Sequence, residues 1–291
     1  MAEMYEKVLI SLDGSEDSEM VLPYGEELAR RLHSKLEIVG VYSEHEHTFE
    51  HLFKNYLNEL VNQLNSKGLQ SKIVFLHGNA AEEILNYANN SDTSLIGMAT
   101  HGRSGISRWI LGSVTEKVLR GAIKPLLLVP EKRHEAKSAE KPIFRRILVP
   151  LDGSTPGEVV LPWAKELARR ANSKLFLLHV ILSPDKLTGV SHYAISFEEQ
   201  LIEILRKQGR EYITSVAAEL EREKLDFKYD LITGMPADTI LDYAKENDID
   251  LIAMSTHGRT GVGRFVLGSV ADKVVHVSEV PVLLIRAHGE Q

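Results

Sequence analysis

At 291 residues the chain suits two domains of ordinary size, each able to bury its own core. Hydrophobic residues at 43% and charged residues at 26% are the balance of a soluble globular protein, and a net charge of −7 supplies no broad basic face for a nucleic-acid backbone. The absence of cysteine excludes disulfides, thiolate catalysis and cysteine-ligated metals.

In chain order, residues 8–12 form a short apolar run ending at Asp13-Gly14-Ser15, the pattern of a buried parallel strand entering a turn. It starts so near Met1 that no signal peptide fits before it. No apolar run approaches the roughly 20 residues of a membrane span, so a cytoplasmic protein without membrane contact is expected. A helix is predicted around 17–33 and a second strand at 36–41. Phe49, Leu52, Phe53, Tyr56, Leu57, Leu60 and Leu64 then recur at helical spacing. A strand near 72–76, a helix near 80–90 and a strand at 94–98 lead into a glycine-punctuated loop. Beyond it lie a helix from Ser113 and a last strand at Leu126–Val129.

The pattern then repeats. Pro150-Leu-Asp-Gly-Ser154 matches Ser11-Leu-Asp-Gly-Ser15 at an offset of 139, and from Gly78 and Gly234 onward the offset is 156, leaving 17 extra residues in the second copy. Between 95–129 and 251–285, 18 of 35 positions are identical, so the copies are whole domains and not solenoid units. The second copy reads as strands at 147–151, 175–181, 227–232, 250–254 and Val282–Ile285. Its helices are expected at 156–171, with Thr155-Pro156 as cap and first turn, through Phe197, Leu201, Leu205, Ile213, Val216 and Leu220, at 236–246, and from Ser269. The expected domains are therefore 1–130 and 146–291. The charged, aperiodic segment 131–145 is a solvated linker, and the region near 182–195 is a long connection. Strands alternating with helices make each domain α/β, a doubly wound five-stranded parallel sheet. In a flavodoxin-like strand order, 3-2-1-4-5, strands one and four flank the switch point where ligands bind. Asp13 or Asp152 and a glycine loop would then line one crevice.

The loop holds Gly102, Gly105 and Gly112 in the first copy and Gly258, Gly261 and Gly268 in the second. Glycines let a backbone approach a phosphate and present N–H groups to it, or they make a tight strand-to-helix connection. The duplication beside an aspartate favours the first reading. Ser113-Val-Thr-Glu116 has capping-box spacing; capping and phosphate binding use the same helix N-terminus, and both stay open. Asp13 and Asp152 are placed either to hold a Mg²⁺ that accompanies a triphosphate or to cap an Asp-Gly turn. His101 and His257 read as loop or nucleotide contacts in preference to general bases, since no nucleophile with a matching acid accompanies them. Arg103 and Arg259 either neutralise phosphate or lie in solvent. A Walker loop and a dinucleotide fingerprint after the first strand are both missing.

On these residues the sequence resembles the universal stress protein family in its tandem-domain form, along essentially the whole chain. The family's ATP pattern, Gly-x2-Gly-x9-Gly-Ser/Thr, reads Ala99-Thr-His-Gly102, nine residues, Gly112-Ser113, and again Ser255-Thr-His-Gly258, nine residues, Gly268-Ser269. Ala99 and Ser255 stand where the first glycine is the norm. The resemblance implies that Asp13 and Asp152 lie near phosphates and metal, and that Val41 and Val180 present backbone to adenine. It implies that His101 with Gly102, and His257 with Gly258, approach ribose and phosphates. Gly112, Ser113 and Val114, with Gly268, Ser269 and Val270, would hold the phosphate tail. It further implies ATP, with Mg²⁺, as ligand of a stress-linked regulator that is not an enzyme; from the paired glycine loops, nucleotide is expected to order 99–112 and 255–268. It also implies an intramolecular pseudo-dimer through the last strands and a homodimer of chains. The alternatives are a slow ATPase or autophosphorylating protein and a nucleotide-free dimerisation or chaperone-like module.

Overall fold

The computed structural model describes residues 4–42, 47–102, 111–131, 143–182, 195–258 and 267–287, without the side chains of 47–49 and 195–199. Most of the expected linker, the centres of both glycine loops with Arg103, Gly105, Arg259 and Gly261, and most of the long connection near 182–195 lie outside these residues.

The first repeat builds β1 (Lys7–Leu12), β2 (Lys35–Tyr42), β3 (Ser71–His77), β4 (Leu95–Ala99) and β5 (Leu126–Val129). Between them run α1 (Glu16–Glu19), α2 (Leu22–Leu32), α3 (His47–Ser66), α4 (Ala80–Asn90) and α5 (Ser113–Gly121). The second repeats the series as β6 (Arg146–Leu151), α6 (Thr155–Glu158), α7 (Leu161–Ala171), β7 (Lys174–Leu182) and α8 (Ile195–Arg222), then β8 (Phe227–Gly234), α9 (Pro236–Glu246), β9 (Leu251–Ser255), α10 (Ser269–Val277) and β10 (Val282–Ile285). Helix α8 has 28 residues against 20 in α3, which absorbs part of the insertion.

The chain divides into two units, one of Met1–Ile143 with Ser278–Arg286 and one of Phe144–Val277 with Ala287–Gln291. In the first unit the strand order is β3-β2-β1-β4-β5, all parallel, and β10 adds antiparallel to β5 with Leu283 opposite Leu127. In the second unit it is β8-β7-β6-β9, again parallel. The α/β class and the parallel doubly wound order are thus as the sequence implies. A parallel sheet covered on both faces needs continuous apolar strands, and β4, β5, β9 and β10 are buried at every position.

Two helical expectations need correcting. The helices read at 17–33 and 156–171 are each broken in two, because Pro23 and Pro162 lack the N–H that would continue a helix and instead open α2 and α7. The cap of α6 is Ser154, whose hydroxyl accepts from Gly157 N at 3.1 Å, and not Thr155, which is already helical.

The repeats also trade volume across one helix–sheet contact. A Cβ on Gly40 of β2 would overlap Phe53 and Leu57 of α3. In the second unit His179 of β7 takes the place of Gly40, and Gly209 of α8 takes that of Phe53, close against the imidazole. Fixed packing density lets the bulk sit on either partner but not both. The Nδ1 of His179 lies 2.8 Å from the carbonyl oxygen of Leu151, immediately before Asp152.

Candidate functional site

Strand β1 ends at Asp13, and Gly14 follows at φ +82°, a left-handed turn that glycine makes without strain. The turn folds Ser15 back onto the aspartate. The Ser15 amide and hydroxyl donate to Asp13 Oδ1 at 2.9 and 2.6 Å, and the Asp13 amide donates to Ser18 Oγ at 3.3 Å. Ser15 also caps α1. The second unit repeats this with Gly153 at φ +80°, and Ser154 donates to Asp152 Oδ1 at 3.0 and 2.6 Å. Turn capping and a ligand-facing role are therefore not exclusive, since the Ser15 and Ser154 bonds all fall on one carboxylate oxygen.

The other oxygen points at the glycine loop. A Cβ on Gly102 would collide with Asp13 Oδ2, and one on Gly258 with Asp152 Oδ2. A side chain at the second motif glycine would thus have to displace the aspartate. The loop closes where Gly112 N donates to Thr100 O at 2.8 Å, matched by Gly268 N to Thr256 O at 2.9 Å. Gly112 is the N-cap of α5 and makes no side-chain cap bond, so the capping-box reading of Ser113 does not hold. Ser113 is the first helical residue, and Glu116 pairs with Arg120 instead. The first amides of α5 therefore depend on a partner from outside the helix, and the positive end of the dipole faces the same way.

Asp13, Val41, Ala99, His101, Gly102, Gly112, Ser113 and Val114 all line one crevice of about 220 Å³ in the first unit. Ser11, Leu12, Ser18, Ala80, Ile84, Met98 and Thr115 complete its wall, and the sequence reading missed them. Thr115 had a signal, being threonine where the second copy has Ala271; its hydroxyl donates to Ala99 O at 2.9 Å and ties α5 to the end of β4. His101 Nδ1 is engaged by Thr100 Oγ1 at 3.1 Å, while its buried Nε2 has no hydrogen-bond partner among the described residues. Ala99 and Ser255 are the last residues of their strands and neither has positive φ, so their Cβ atoms cost no backbone strain. In the second unit Asp152, Val180, Ser255, His257, Gly258, Gly268, Ser269 and Val270 hold the corresponding positions at the strand ends and the start of α10. There Ser255 Oγ accepts from His257 N at 3.3 Å, and Thr256 Oγ1 lies 2.9 Å from His257 Nδ1.

Among the described residues no three His, Asp or Glu side chains gather as a metal cage. Magnesium does not need one, because it commonly binds through one or two carboxylates, phosphate oxygens and water. Asp13 fits that part.

The universal stress protein family model matches residues 4–130 and 143–286. The chain belongs to the universal stress protein family. Each single-domain relative aligns with half of it. A universal stress protein of Methanocaldococcus jannaschii is 28% identical over 144 residues, 50% of this chain and 83% of the relative. One from Bacillus subtilis is 29% identical over 148 residues, 50% of this chain and all of the relative. Among solved structures, a universal stress protein of Archaeoglobus fulgidus superposes with a TM-score of 0.70 at 21% identity, covering 98% of this chain and 99% of that one. A protein of unknown function from Pseudomonas aeruginosa gives 0.74 at 18% identity, covering 98% and 94%; at these identities the likeness concerns the fold. No helix among the described residues is long and apolar enough to cross a membrane.

Proposed function

We propose that this universal stress protein binds an adenine nucleotide, ATP with Mg²⁺, and acts as a cytoplasmic stress-linked regulator and not as an enzyme. The observation that carries the reading is the meeting of Asp13, Gly102 and the N-terminus of α5 in one crevice. The helix start would seat the phosphates through backbone N–H groups, Asp13 would hold the accompanying Mg²⁺, and Val41 would present backbone to the base. The Nε2 of His101, which has no partner among the described residues, suits a ribose hydroxyl or phosphate oxygen. Asp152 and its partners offer the second unit the same arrangement. Occupancy would order the 99–112 and 255–268 segments and change the surface shown to a partner. The antiparallel β5–β10 ladder supports an internal pseudo-dimer as the scaffold, with a homodimer of chains as the further assembly.

The test is to denature freshly purified protein and seek released adenine nucleotide by mass spectrometry, then titrate emptied protein with ATP, with and without Mg²⁺, by calorimetry. Binding that needs Asp13 supports the reading. No released nucleotide and no heat would sink it, and steady phosphate release lost in D13N would favour a slow ATPase instead.

A further inference from the structure

Helices α3 and α8 have diverged almost completely. Aligned at the offset of 156, the 20 positions of α3 share only Tyr56 and Leu64 with Tyr212 and Leu220 of α8. Leu64 and Leu220 are fully buried, and packing accounts for them. Tyr56 and Tyr212 are only partly buried, so packing alone does not. Helices α1 and α6, Glu-Asp-Ser-Glu and Thr-Pro-Gly-Glu, likewise share one residue, Glu19 with Glu158. The two retained residues meet. Tyr56 donates its hydroxyl to Glu19 Oε1 at 2.6 Å.

Glu19 ends a four-residue helix that is bound at every step to the site aspartate. Its amide bonds Ser15 O, Ser15 caps the helix and donates twice to Asp13, and Ser18 Oγ receives the Asp13 amide. So short a helix has little stability of its own. Tyr56 pins its far end to a helix of 20 residues. Burial first, then Glu19 and the nearby Asp13 charge, hold the Tyr56 phenol well above its usual range. Tyr212 has the same surroundings in Glu158 and Asp152 and is raised for the same reasons, although its hydroxyl is not aligned with Glu158 as a hydrogen bond.

We infer that Tyr56 and Glu19 are positioning residues that clamp α1, the short helix after the first strand, and so hold Asp13 for the nucleotide-bound cation. The inference rests on the nucleotide reading for its purpose but not for its mechanics. Neither Tyr56 nor Glu19 lines the crevice, and the clamp works through the Ser15 turn.

Two measurements on the full chain test it. In the ligand-free protein, Tyr56→Phe and Glu19→Gln should speed hydrogen exchange at the Ser15 and Ser18 amides while leaving Leu9 and Ile10 of β1 protected. Unchanged Ser15 and Ser18 exchange in both variants overturns the clamp whether or not nucleotide binds. With Mg-ATP, Tyr56→Phe should weaken binding at the first unit by about three- to tenfold, the weight of one hydrogen bond. In a D13N background the same change should have no further effect, whereas a merely structural tyrosine would weaken binding equally in both. A wild-type chain that binds no nucleotide refutes the proposed function alone, because the exchange experiment still decides the clamp.

Discussion

Glu37 of β2 and Phe176 of β7 occupy the same place in the two repeats, and cations at matching positions face a carboxylate in one and an aromatic ring in the other. Glu37 is 1% exposed, with Lys7 and Lys72 Nζ at 3.2 and 2.9 Å and the Tyr87 hydroxyl donating at 2.8 Å. In the second unit Arg146 and Lys228 each lie 4.8 Å from the centre of the Phe176 ring, and Tyr243 turns its hydroxyl to Asp230. A buried charge and a buried ring are thus alternative ways to seat two cations at the amino end of the sheet.

Removing the charge should therefore cost stability in the first unit. Burial pushes the Glu37 carboxyl up, but Lys72, Tyr87 and Lys7 outweigh it and hold the group below its ordinary range. A depressed carboxylate contributes stability above its unfolded pKa and loses it as pH falls through the folded value. Glu37→Gln is expected to cost about 1–3 kcal/mol at neutral pH, less than a fully buried pair because Lys72 is exposed. The variant should also lose less stability than wild type on acidification, and urea midpoints at pH 7 and pH 4 check both statements.

Asp250 has the opposite sign. Burial raises its carboxyl to about 6, although the amides of Arg145 and Arg146 donate to it and pull the other way. A raised group contributes stability that is full below the unfolded pKa and lost as pH rises through about 6. Asp250→Asn should flatten the stability profile between about pH 4 and 6, by at most about 3 kcal/mol for a shift near two units. Chemical unfolding of both proteins at pH 4.5 and 7.5 measures the difference, and an unchanged slope would refute the assignment.

These paired positions show how far the sequence could be read. The strands and the duplication were legible, because apolar runs and Asp-Gly turns are local signals read at fixed spacing, whereas the strand order and the meeting of Asp13 with the glycine loop followed only from supposing a flavodoxin-like fold. The break before Pro23 was equally local and was overlooked. Thr115 carried only the hint of its difference from Ala271, since the atom it bonds, Ala99 O, lies across the fold and no spacing encodes that. Glu37 was hidden for a related reason: an acidic residue in a strand is normally solvent-facing, and only the lysines from neighbouring strands make its burial tolerable. The capping box failed because Gly112 entered the helix one residue earlier than the serine pattern implied.

The Asp13–Gly102 contact makes a site prediction independent of any family pattern. Gly102→Ala must move the carboxylate, since Oδ2 occupies the space of the new Cβ. Overpacking of this kind costs about 1–3 kcal/mol, and ATP affinity of the first unit should fall by tenfold or so as Asp13 is displaced. Asp13→Ala in the same chain should return the stability but not the affinity. Calorimetric titration and thermal melts of the single and double variants separate the two effects.

Arg286 tests how the two ends of one helix are coupled. It follows β10, belongs to the first unit, and donates to the carbonyls of Leu119 and Arg120 at 3.3 and 3.1 Å, the last turn of α5. The other end of α5 is the proposed phosphate seat. Helix-dipole effects fade within a turn, and the nine residues of α5 separate its ends by about 13 Å, so capping should govern stability and not affinity. Arg286→Ala is expected to lower stability by about 0.5–1.5 kcal/mol while changing ATP affinity less than about twofold. A large loss of affinity with unchanged stability would instead make Arg286 part of the nucleotide response, and paired melts and titrations distinguish the two outcomes.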